Sequence, residues 1–141
     1  MTSRHRFATF LAGAFAMIAG DQPSAHHSVP GTFDVHKTVV IKGALSKIDW
    51  INPHVYIYVD VKDKGGAATT WKIETLPTLH MRRVGLSRAD LMEQAKGEDV
   101  TIHMYPAIKN PSAGFLLRVT FAEGHFYQLY GNEEEIARAS K

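Results

Sequence analysis

From Thr38 the pattern turns to strand, and several segments alternate apolar and polar residues with a period of two. That period belongs to strands with one buried face. Thr38 to Trp50 carries Val39, Val40, Ile41, Leu45 and Ile48 around a central Gly43. A glycine inside a long strand predicts a bulge or a sharp bend. Asn52-Pro53 is a turn signal. In His54 to Val61, the residues Val55, Ile57, Val59 and Val61 share one face, and His54, Tyr56, Tyr58 and Asp60 share the other. Asp63 to Ala67, with Gly65-Gly66, predicts a hairpin loop. Thr69 to Leu76 alternates again, with Trp71 and Ile73 inward.

The period then changes. Pro77 to Gly85 predicts a short helix or turn, and Ser87 an N-cap for a helix through Leu91 to about Gln94. Asp99 to Tyr105 returns to strand, with Val100, Ile102 and Met104 inward. Pro106 to Gly114 reads as a loop. Phe115, Leu117, Val119 and Phe121 predict the next inward row, and Phe126 to Tyr130 a last short strand. Three strands, a helical connection, two strands and a short addition make a mainly β fold. The expected architecture is a small OB-like (oligonucleotide/oligosaccharide-binding) antiparallel barrel of five to six strands, with its helical connection between strands three and four. A curled sandwich of the same strands is the competing arrangement.

The chain start follows a different pattern. Arg4 and Arg6 precede an uncharged run from Phe7 to Gly20, and a short polar stretch leads to Ala25. That order is the one of a secretory signal peptide, and the run is shorter than the roughly 20 residues a membrane span needs. The expected organisation is a signal peptide over 1–25, an extended N-terminal arm over 26–37, the barrel over 38–131 and a charged tail over 132–141. Cleavage leaves about 116 residues, enough for one small domain. The expected location is periplasmic, or secreted, with no stable membrane insertion after cleavage.

Composition narrows the chemistry. Apolar residues make up 45% and charged residues 21%, a globular balance. Losing Arg4, Arg6 and Asp21 takes the formal charge from +2 to +1, which supplies no field for nucleic acid. The sequence has no cysteine, so disulfides, thiolate catalysis, zinc–thiolate sites and iron–sulfur clusters are excluded. The sequence holds no nucleophile elbow, phosphate-binding glycine loop, dinucleotide fingerprint or H-E-x-x-H.

Histidines are the chief candidates for chemistry. Cleavage after Ala25 would put the α-amine and ring of His26 on one ion. Cleavage after Ser24 would put His27 third, with the amine and two amides completing a square plane. Both sets suit Cu(II) or another divalent transition metal. The competing reading is a polar arm whose histidines merely follow the cleavage site. His54 sits beside the Asn52-Pro53 turn and is either a further ligand or a cap on the turn backbone. His36, His80, His103 and His125 show no ligand spacing. A metal-free alternative is a small-ligand or protein-binding face built from Tyr56, Tyr58 and Trp71, with Arg82 and Arg83 as an anion clamp. Its competing reading is strand-edge packing for the aromatics and a solvated helix end for the arginines.

Ala25-His26-His27-Ser28, Gly43, Trp50-Ile51-Asn52-Pro53-His54, Tyr56, Val59-Asp60-Val61, Trp71 and Leu79…Arg82-Arg83-Val84-Gly85 together resemble a family of small exported Gram-negative bacterial proteins of unknown function. The A-H-H-S start and the W-x-N-P-H segment are its most specific parts. The resemblance covers nearly all of the chain after the leader. It implies export and a small β-barrel domain, and no established activity.

Overall fold

The computed structural model describes residues 28–140. The leader, His26 and His27 lie outside the described residues. The barrel is built from β1 (Val39–Asp49), β2 (Tyr56–Lys62), β3 (Ala68–Glu74), β4 (Asp99–Pro106) and β5 (Ala113–Thr120). A sixth strand, β6 (Phe126–Gln128), adds to β5. The short helices are α1 (Val29–Thr32), α2 (Thr78–Arg83), α3 (Arg88–Gln94) and α4 (Glu133–Ala137). Strand order is β3-β2-β1-β4-β5-β6. A parallel pairing of β3 with β5, Ile73 opposite Gly114, closes the barrel; the other pairings are antiparallel. This is the OB-like barrel expected from the strand order, with α2 and α3 between β3 and β4.

The first strand serves two partners. Its first half, Val39 to Ala44, pairs with β4, and its second half, Ala44 to Asp49, pairs with β2. Gly43 sits at the handover. A side chain there would stand 2.9 Å from the Asp60 carbonyl carbon and closer still to its oxygen. The bulge itself lies further on, where Ser46 is the extra residue between Leu45 and Lys47. It shifts the phase by one, so that Ile41, Leu45 and Ile48 all turn inward.

Ser87 caps α3 as expected. Its Oγ accepts from the Asp90 amide at 3.1 Å, and the Asp90 carboxylate accepts from the Ser87 amide at 2.9 Å. This reciprocal box orients a helix whose Leu91 joins Met81 and Leu86 in the barrel's apolar core.

Strand β5 departs from the expected inward row. Leu117 is the extra residue of a second bulge, because His103 pairs with Arg118 and Met104 with Leu116. Leu116, Val119 and Phe121 therefore enter the barrel, whereas Phe115 and Leu117 face outward into a second apolar cluster. That cluster also holds Phe33, Tyr105 and Ile136. Residues 28–37, read from sequence as extended, contain the α1 turn and insert Phe33 against Phe115, ring centroids 5.4 Å apart. The charged tail forms α4 and contributes Ile136. Tyr105 donates to the Glu135 carboxylate at 2.6 Å, and burial, with that carboxylate, pushes its hydroxyl far above the usual range.

A pH dependence follows from the outer face of β4. His103 lies between Val40 of β1 and Arg118 of β5. Its Nδ1 is buried and finds no hydrogen-bond partner among the described residues. Burial, and then the Arg118 guanidinium, hold its pKa below the ordinary histidine value; Glu133, paired with Arg118, opposes them. The unfolded chain therefore binds the proton more readily, and stability rises with pH across this window. The contribution is complete above about pH 6.5 and is lost as pH falls toward the depressed folded value. Thermal unfolding between pH 8 and 5 should show this decline, and His103→Gln should flatten it. An unchanged slope in that variant would discard the assignment.

Candidate functional site

The outward row of β2 presents Tyr56, Tyr58 and Asp60. The hairpin register sets them opposite Glu74, Lys72 and Thr70 of β3. Trp71 pairs with Val59 and packs against the barrel core. The structure thus brings Tyr56 and Tyr58 to one face and places Trp71 on the other. Arg82 and Arg83 are exposed at the end of α2, and neither makes an ion pair among the described residues.

The two tyrosines have different surroundings. Tyr58 donates to Asp49 at 2.9 Å, Lys47 pairs with the same carboxylate at 2.8 Å, and the Lys47 ammonium lies 4.9 Å from the Tyr58 ring centre. Those hydrogen bonds hold the Asp49 carboxyl below its ordinary range. This network satisfies itself. Tyr56 instead opens on a cleft of about 470 Å³ that Lys72 and Glu74 also line. Lys72 reaches diagonally across the hairpin and places its ammonium 4.2 Å from the Tyr56 ring centre. Burial, followed by the Glu74 carboxylate, pushes the Tyr56 hydroxyl up.

His54 precedes β2 and follows the cis Asn52–Pro53 peptide bond. Its Nδ1 stands 3.2 Å from the Thr75 carbonyl oxygen and 3.3 Å from Glu74 Oε1. Both neighbours accept hydrogen bonds, so Nδ1 is the ring nitrogen that donates to them. Thr75, which positions one acceptor, is fully buried, and its amide donates to Val55 at 2.8 Å. The turn is also tied to α2, where Thr78 donates to the Asn52 side chain at 2.8 Å.

The sequence singles out His54 and Tyr56 but carries no local signal for Glu74. The missing signal was the hairpin itself: a turn centred on Gly65 pairs residues equidistant from it, which sets Tyr56 opposite Glu74. Phe33, Ile108 and Asn110, also at the cleft, come from segments with no period to register them.

Among the described residues, no group of three or more histidine, cysteine, aspartate or glutamate side chains is placed to hold a metal. No helix among them is long and apolar enough to cross a membrane. No curated protein and no solved structure matches the chain. The profile of the family of unknown function DUF6152 matches residues 15–116, more than half of the sequence, and the chain belongs to that family.

Proposed function

We propose that the protein is an exported binding module that holds a divalent transition metal, Cu(II) foremost, between its N-terminal histidines and the barrel. The observation that carries this reading is the orientation of His54. Metal-ligating histidines donate their second ring nitrogen to a carboxylate or a backbone carbonyl, which fixes the tautomer and raises the basicity of the ligating nitrogen. His54 has both acceptors on Nδ1, in Glu74 and Thr75. His26 and His27 would supply the primary donors, with His54 as the barrel's contribution.

Chain connectivity supports the assembly. Gly31 to Phe33 line the cleft that Glu74 also lines, and the Gly31 amide donates to the Ser28 carbonyl at 2.9 Å. His27 is joined directly to Ser28, and each residue can extend the chain by about 3.5 Å. The leader pattern suits a compartment outside the cytoplasm.

The test is calorimetric titration of the processed protein with Cu(II), its first residue fixed by intact-mass spectrometry. The expected result is one equivalent of uptake that weakens as imidazoles protonate near pH 6. His26→Ala/His27→Ala should abolish it, and His54→Ala should weaken it by about tenfold or more. No uptake, or uptake unchanged in the double variant, would end the proposal.

A further inference from the structure

We infer that the cleft beside Tyr56 is a second, metal-independent site, for a small organic carboxylate with an apolar and preferably aromatic body. Its volume of about 470 Å³ lies within the range of small-molecule sites. Three segments build it: the outer face of the β2–β3 hairpin, residues 31–33, and the loop joining β4 to β5. Hydrogen bonds tie these segments together. The Ile108 amide donates to the Thr32 carbonyl at 3.0 Å, and the Lys72 amide to the Ser112 carbonyl at 3.0 Å. The Asn110 side chain accepts from the Ser112 amide at 3.0 Å and braces the loop from within. The cleft is therefore preformed, which lowers the ordering cost of binding.

The charges select the ligand. Glu74, the cleft's carboxylate, faces His54. Lys72 and Lys109 also line the cleft, and neither makes an ion pair among the described residues. Lys72 is held instead over the Tyr56 ring. A cation resting on an aromatic face can meet a carboxylate without first breaking a salt bridge. The apolar requirement comes from Ile108, which leaves 59% of its surface in solvent at the cleft wall. An apolar ligand body would cover it. The metal reading needs the chain start, whereas this site uses residues from Gly31 onward.

Benzoate, phenylacetate and octanoate, titrated into isotope-labelled protein with a chelator present, test the assignment by amide NMR. Benzoate should give saturable shifts at Lys72, Ile108 and Asn110. Benzyl alcohol, which lacks the charge, and inorganic phosphate, which lacks the apolar body, should each bind at least about tenfold more weakly. Lys72→Met keeps the apolar stem and should lose about tenfold in affinity while retaining a dispersed, folded spectrum. Benzoate binding should persist in His26→Ala/His27→Ala. Its loss there would assign the carboxylate to the metal and overturn the inference. So would equal binding of phosphate or benzyl alcohol, unaltered affinity in Lys72→Met, or no saturable shift with any of the three carboxylates.

Discussion

Phe115→Ala should lower stability by about 3–5 kcal/mol, the range for removing a large buried aromatic side chain, and Tm by roughly 15–25 °C for a domain of this size. The side chain is almost fully buried, between Phe33 at 5.4 Å and Tyr130 at 5.2 Å between ring centres. Its loss falls on the cluster that docks both ends of the described chain. Limited proteolysis followed by mass spectrometry should therefore find new cuts around residues 28–37 and 132–138 before the barrel loops are cut. Leu116→Ala, one residue away but inside the barrel, should destabilise without that preference. Cuts falling first in the barrel loops of the Phe115 variant would refute the division into two clusters.

Gly43→Ala should be nearly as costly, by a different route. The added methyl would strike the Asp60 backbone, which cannot rotate aside as a flexible side chain could. Strands β1 and β2 would have to separate where β1 changes partner. Overpacking of this kind costs about 3 kcal/mol at the upper end of its usual range, or roughly 12–20 °C in Tm. Thermal unfolding by circular dichroism measures it. Ala44→Gly, at the next position, provides a control that removes a methyl from an exposed strand site, where the cost is about 1 kcal/mol or less. A Gly43→Ala protein as stable as the parent would contradict the close approach.

The parts of the fold legible from sequence were those with one wet face and one dry face. The β2–β3 hairpin is the clearest case, because Val55, Ile57 and Val59 alternate with His54, Tyr56 and Tyr58, and Gly65-Gly66 marks the turn. Strand β5 was harder. Phe115-Leu116-Leu117 is buried on both sides, and a continuous apolar run carries no phase. The bulge at Leu117 then reverses which residues enter the barrel. Phe33 lay in a polar stretch, and a lone aromatic residue without periodic neighbours announces no cluster.

The site was legible to the same degree. His54 and Tyr56 stood out locally, one beside a turn and one on an alternating strand. Glu74 gained its meaning only from a partner twenty residues away. The cleft draws on three distant segments, and no local pattern encodes their meeting. Trp71 illustrates the converse: its aromatic character suggested a binding face, while the strand phase that the sequence already displayed placed it indoors.

The parallel seam between β3 and β5 bears on how the molecule forms. Thirty-eight residues separate Glu74 from Ala113, and β1 must meet β4 across a longer span, with 54 residues between the paired Ala44 and Asp99. Ring closure therefore waits for most of the polypeptide, and such non-local pairing places folding in the millisecond-to-second regime, well behind helical bundles of equal length. A polypeptide truncated before residue 113 would leave two strands with open flanks and no way to complete the cylinder.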